Sequence, residues 1–230
     1  DLMAGMFASV GILAAVRHQT ETGKGQFIDI GMLDTHVAWL ANQGMNYLST
    51  DENPERLGNQ HPNIVPYQVM PTSDGYIVLS IGNDPTFERF CELAGETKLL
   101  EDDRFKTNAS RVSNREHVTK VLNEVTKRKT SNEWLSELEK AKIGCGPINN
   151  LSDVFNDPHV ISRKMVMEME HSKTGEKPLK LISNPIKMNE TPVSYRYAPP
   201  LLGEHTNEIL KTELNLNEDQ IKSLKDKNII

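Results

Sequence analysis

Two places in this sequence pair reactive or polar side chains with a setting that can use them. The first is Asp1, which directly precedes an almost uncharged run from Leu2 to Val16. Leu2, Met6, Val10, Leu13 and Val16 recur at helical spacing, so the run predicts a helix with Asp1 at its mouth. Unpaired backbone N–H groups and the positive end of the macrodipole favour a carboxylate there. Two chemistries fit this position: a helix cap worth on the order of 1 kcal/mol, or an ionised carboxylate acting as a nucleophile. Residue type and position leave both open. The second place is the compact polar stretch Gly58-Asn59-Gln60-His61-Pro62-Asn63, with a histidine set among amides. It reads either as a surface turn or as a loop whose polar groups reach a substrate. In the second case Gly58, Asn59, His61 and Asn63 are the substrate-binding candidates.

Other reactive-looking stretches read more simply. Gly23-Lys24-Gly25 lacks the Walker spacing and follows a helix rather than a strand, which argues against a nucleotide phosphate loop. Lys127-Arg128-Lys129 is a favourable end for a helix, with a contact to a phosphate group as the weaker alternative. Cys145 lies between two glycines with no basic neighbour to lower its pKa, so it reads as a small filler. His205 opens a helix with no partner in the local sequence and reads as structural. No histidine pair or Cys/His cluster has metal-ligand spacing, so no metal is expected.

Charged residues at 25% and hydrophobic ones at 37% describe an ordinary globular chain of 230 residues, long enough for a real core. A net charge of −6 argues against nucleic acid or an anionic membrane as partner. Two cysteines are too few for a disulfide framework; they suit a reducing compartment, the cytoplasm or, in a eukaryote, the mitochondrial matrix. The run at 2–16 is too short to span a bilayer, which needs about 20 apolar residues.

The elements that must position Asp1 follow from periodicity. The first helix is apolar or small-sided all round, so it is expected to be packed closely by other elements. A turn through Gly25, a β-rich run Gln26–Ile30 and a helix from Gly31 to Ser49 continue an α/β layer. Asp51–Arg56 reads as a linker. Tyr67–Thr72 and Tyr76–Ile81 flank Ser73-Asp74-Gly75 as a hairpin. Helices are expected from Asp84 to Gly95, around Val118–Val125, and from Ser131 to Ala141, where Gly144–Pro147 ends the last. Met165–Glu170 alternates as a strand and pairs with Leu179–Met188 across Lys173-Thr174-Gly175-Glu176. Two short helices after Gly203 close the chain.

Asp-Leu-Met-Ala-Gly-Met-Phe-Ala at 1–8 resembles the segment that carries the nucleophilic aspartate of the class III CoA-transferases. So do Gly-Ile-Leu-Ala-Ala at 11–15 and Thr-Gly-Lys-Gly-Gln-Phe-Ile-Asp-Ile at 22–30. Gly144-Cys145-Gly146-Pro147-Ile148-Asn149 and Pro199-Pro200-Leu201-Leu202-Gly203-Glu204-His205-Thr206 resemble later signatures of that family, in the same order. The resemblance implies the C-terminal part of a class III CoA-transferase fold: a partial Rossmann-like α/β layer at 1–50, a smaller α+β domain at 51–190 and an arm at 191–230 returning to the large domain. A chain opening inside a central helix is expected to lack its N-terminal part, which in this family carries most coenzyme A contacts.

The resemblance further implies an interlocked homodimer, acyl-CoA and carboxylate substrates, no permanently bound cofactor, and Asp1 as the catalytic nucleophile. A glycine-rich loop closes over that aspartate in the family; here only Gly58 stands where a run of glycines would. Ile64–Gln68, Asp74–Val78, Pro147–Asn150 and Val166–His171 resemble the branch that acts on succinyl-CoA and glutarate, which points to dicarboxylates. A 2-methylacyl-CoA racemase of the same fold and an inactive binding or dimerisation module are the alternatives.

Overall fold

The computed structural model describes residues 1–175 and 177–230. The chain divides into two compact units, Asp1–Ile148 and Asn149–Ile230. The first opens with α1 (Leu2–Thr22), stopped by Gly23 in the left-handed conformation, whose N–H bonds the Gln19 carbonyl. Contrary to expectation, α1 is not packed all round: Ala15 is its one buried residue, while Leu2 and Leu13 are 85% and 70% exposed. A helix buries an apolar face only where a partner surface exists, and within this unit that surface covers little of it.

Gln26–Ile30 forms no strand. Its β propensity finds no neighbouring backbone to pair with, so Ile28 instead lies back along α1; a β-carbon on Gly11 would sit 3.4 Å from its Cγ2. The helix expected over 31–49 is broken into α2 (Met32–Ala38) and α3 (Ala41–Thr50). Ala41 begins α3 with φ 48°, a left-handed value rare for alanine; nothing in the surrounding sequence marks the break.

The core lies further along. β1 (Tyr67–Pro71) and β2 (Tyr76–Ser80) form the expected antiparallel hairpin, in register from Tyr67↔Ser80 to Pro71↔Tyr76. Next come α4 (Asp84–Ala94), a 3-10 turn (Thr97–Glu101), α5 (Asn108–Ser113), α6 (Arg115–Thr126) and α7 (Ser131–Lys140). Asn83 caps α4 and Gly95 ends it; Thr130, rather than Ser131, makes the capping box of α7 with Glu133. β3 (Gly144–Pro147) then pairs antiparallel with β2. The glycines that read as a helix stop are in fact a strand. A β-carbon on Gly144 would stand 2.9 Å from the Ser80 carbonyl oxygen, so the pairing requires the absence of a side chain.

The period-2 and period-3.6 patterns meet on one side of this sheet. Met70, Ile77 and Leu79 pack with Phe87 and Phe90 of α4, Val118 and Leu122 of α6, and Trp134 and Leu138 of α7. Aromatic contacts run through this core, Phe87 against Phe90 and Phe105, and Phe90 against Trp134 at 5.9 Å between centroids. Trp134 Nε1–H donates to the Thr126 carbonyl, so the buried indole keeps no unpaired donor.

The second unit holds α8 (Leu151–Asn156), α9 (Pro158–Ser162), β4 (Val166–Met169), β5 (Leu179–Ile182), α10 (Thr206–Thr212) and α11 (Glu218–Asp226). β4 and β5 pair antiparallel as expected, from Val166↔Ile182 to Met169↔Leu179. β5 stops at Ile182 rather than Met188, because Pro185 follows and cannot donate to a ladder. The expected connector includes Glu176, which lies outside the described residues.

Candidate active site

Asp1 occupies the N-cap position of α1, and its backbone carbonyl accepts the first helical bond from Gly5 N–H at 2.8 Å. Its side chain, however, makes no capping bond, and the residue is exposed. The helix thus begins with a carboxylate beside its positive end that is not consumed in holding the helix together.

Gly58, Asn59, His61 and Asn63 come together in one loop, and most of their polar groups are engaged. Gly58 takes φ 60°, and Gln60 N–H closes a turn on the Leu57 carbonyl. The Asn59 amide oxygen accepts from Val69 N–H at 2.9 Å, tying the loop to β1. His61 N–H donates to the Tyr67 carbonyl at 2.9 Å, and its ring stacks on Tyr67 with centroids 5.2 Å apart. The His61 Nδ1 accepts the Asn63 backbone N–H at 3.1 Å.

Three further residues, distant in sequence, also hold the loop, and the sequence reading missed all of them. Arg115 donates to the carbonyls of His61 at 3.0 Å and Pro62 at 2.5 Å; burial pulls this guanidinium below its ordinary pKa. Asn108 donates to the Asn63 carbonyl and accepts from Val65 N–H. Asn46 of α3 exchanges reciprocal amide bonds with Asn63, each 3.2 Å. These partners lie far from the loop in sequence, where periodicity carries no signal. Beside the loop is an open cleft of about 970 Å³ lined by Arg56, Arg115 and Lys120 together with Glu55, Glu116 and Glu124. Its opposite charges balance, so it offers no net attraction to a polyanion.

The basic cluster at 127–129 is occupied. Lys127 pairs with Glu124, Arg128 with Glu96, and Lys129 with Glu137 while lying over the Trp134 ring. The helix-end reading of that cluster therefore fits better than a phosphate site. Burial pushes the Cys91 thiol up to about 12 and raises Cys145 as well, which makes neither a nucleophile near neutral pH. His205 packs edge-on against Tyr197. Among the described residues no group of three His, Cys, Asp or Glu side chains stands ready for a metal, and no helix is long and apolar enough to cross a membrane.

Comparison with known proteins places these features. The family model "CoA-transferase family III" matches residues 1–206. Succinate–glutarate CoA-transferase of Agrobacterium fabrum is 38% identical over 210 residues, covering 91% of this chain and 52% of the relative. Human succinyl-CoA:glutarate CoA-transferase is 37% identical over 224 residues, covering 97% of this chain and 51% of the relative. Among solved structures, a CaiB/BaiF family protein from Brucella suis superposes with a TM-score of 0.71 at 37% identity, covering 92% of this chain and 54% of its own. A protein from M. tuberculosis gives 0.75 at 25% identity, covering 89% and 53%. The chain spans about half the length of the curated relatives it matches. It belongs to CoA-transferase family III.

Proposed function

We propose that the protein transfers coenzyme A between an acyl-CoA and a carboxylate acceptor, with dicarboxylates such as succinate and glutarate as the acyl groups. The observation that carries this reading is the match of the family model across residues 1–206, together with relatives 37–38% identical that are named for succinate–glutarate exchange. Asp1 is the nucleophile in this reading. What supports it is the motif it begins and a carboxylate left without a capping bond at a helix N-terminus.

The exchange balances without a redox partner. The Asp1 carboxylate attacks the thioester carbonyl, the C–S bond breaks, and coenzyme A leaves as thiolate from a mixed anhydride. The thiolate then attacks the aspartyl carbonyl and expels the donor carboxylate, leaving an aspartyl thioester. The acceptor carboxylate repeats these two steps in reverse order and regains Asp1 as carboxylate. Each step exchanges acyl groups of similar energy, so the protein mainly positions the reactants and excludes water. The loop Gly58–Asn63 is the substrate-facing element, the domain plan is 1–50, 51–190 and 191–230, and the working form is a homodimer without a resident cofactor.

In the full-length protein, Asp1→Ala is expected to abolish exchange while leaving the thermal melt unchanged. Enzyme trapped with succinyl-CoA should carry a mass adduct on Asp1; its absence under turnover conditions would refute the covalent route. Running the reaction with succinyl-CoA and glutarate in heavy water separates transfer from racemisation. Transfer yields glutaryl-CoA without deuterium at the carbon next to the thioester, whereas a racemase incorporates deuterium and transfers nothing.

A further inference from the structure

The loop Gly58–Asn63 is held from several sides, and the hold fixes one chemical property of His61. The carbonyls of His61 and Pro62 are gripped by Arg115, that of Asn63 by Asn108, and the Asn63 side chain by Asn46. Stacking on Tyr67, with planes 10° apart, sets the orientation of the imidazole ring. In that orientation Nδ1 faces the Asn63 backbone N–H and accepts from it at 3.1 Å. A ring nitrogen that accepts a hydrogen bond carries no proton, so the imidazole proton sits on Nε2. Among the described residues Nε2 has no hydrogen-bond partner, and His61 is half-buried.

We infer that His61 presents Nε2–H as an oriented hydrogen-bond donor to an anionic oxygen of the substrate, either the tetrahedral oxygen formed at the thioester carbon or a carboxylate of the acyl group. Arg115, Asn108 and Asn46 are positioning residues for that donor. The inference rests on the reading that this loop faces the acyl-CoA site. It gives His61 the role of donor and excludes it as the base, because one nitrogen is occupied as an acceptor and the other already bears the proton. It also makes the loop a pre-set clamp rather than a swinging lid, since opening it would break the bonds from Arg115, Asn108 and Asn46 together. A donor aimed in advance at developing negative charge is effective because it needs no reorganisation during the reaction.

Two isosteres separate donor from scaffold in the full-length protein. His61→Asn places an amide oxygen near Nδ1, keeping the bond from Asn63 N–H and losing the donor. His61→Gln places an amide N–H₂ near Nε2, keeping the donor and loosening the loop. His61→Asn should melt like wild type and lose about 100-fold in turnover, the loss typical of one missing oxyanion donor, if the oxygen is tetrahedral. If the oxygen is a substrate carboxylate, the loss should appear in KM for the dicarboxylate instead. His61→Gln should melt earlier yet turn over faster than His61→Asn. In wild type, long-range proton–nitrogen NMR should report the proton on Nε2.

A proton on Nδ1, or a His61→Asn enzyme with wild-type kcat and KM, would overturn the inference. If wild-type protein binds succinyl-CoA but transfers nothing to glutarate, the proposed function fails separately. The comparison of succinyl-CoA affinity between wild type and His61→Asn by calorimetry then decides the role of His61, equal affinities overturning it.

Discussion

Asp74 illustrates how a single side chain joins distant parts of the chain. It sits in the hairpin turn, yet its carboxylate accepts from Ser131 N–H at 2.7 Å, the Ser131 hydroxyl at 2.9 Å and the Thr72 hydroxyl at 3.0 Å. The Ser131 backbone N–H is the main reason its pKa lies below the ordinary 3.8. A carboxylate whose folded pKa is depressed stabilises the fold while ionised, and that contribution is lost as pH falls through the folded value. Wild type should therefore exceed Asp74→Asn in urea midpoint at about pH 6, with the gap closing toward about pH 3 as the carboxylate takes up its proton. A gap that stays constant across that range would show that ionisation of Asp74 plays no part.

At the scale of elements, α5 is anchored by Arg111, which is fully buried. Its guanidinium donates to the carbonyls of Val65 and Phe105 and to Asp84 Oδ1, each within 2.8 Å, and stacks 4.3 Å over the Phe87 ring. One side chain thus joins α5, α4 and the segment entering β1. Arg111→Met fills similar volume but strands two carbonyls, so it should cost about 3 kcal/mol in chemical denaturation. Asp84 is 40% exposed and recovers water when its partner is lost, which holds the cost at the low end of the range for a broken buried pair. Arg111→Lys should recover little of the loss, since an ammonium cannot reproduce the planar fork. A cost under about 1 kcal/mol would mean that water replaces the guanidinium at both carbonyls.

For the molecule as a whole, apolar surface is unevenly distributed. The buried core runs from Val65 to Ile143, while Leu2, Met6, Val10 and Leu13 of α1 and Leu40, Met45 and Leu48 around α3 are exposed. Exposed apolar side chains in this number drive association. The 230-residue chain is expected to sediment as concentration-dependent oligomers, and Val10→Glu with Leu13→Glu should shift it toward the monomer. Sedimentation independent of concentration, with no change in the double variant, would show that this face does not mediate association.

The sequence by itself determined what depends on near neighbours. The hairpin at 67–80, the α4, α6 and α7 helices and the β4–β5 pair follow from alternation, 3.6-residue spacing, caps and turns, all rules spanning a few residues. The family is legible too, because its motifs follow in order along the chain, whereas Asp1 and the Gly58–Asn63 loop stand out already by residue type and position, and the resemblance adds the role of nucleophile for Asp1. Tertiary structure decided whatever needs a partner from elsewhere. Gly144–Pro147 became a strand because β2 offered it a ladder, whereas Gln26–Ile30, with better β formers, found none. The exposure of α1 depends on which surfaces reach it, not on its own pattern. Arg115, Asn108 and Asn46 became holders of the loop only through contacts that no spacing rule spans. A backbone hydrogen bond or an apolar contact stabilises only when both sides meet, and which distant residues meet is a property of the folded chain.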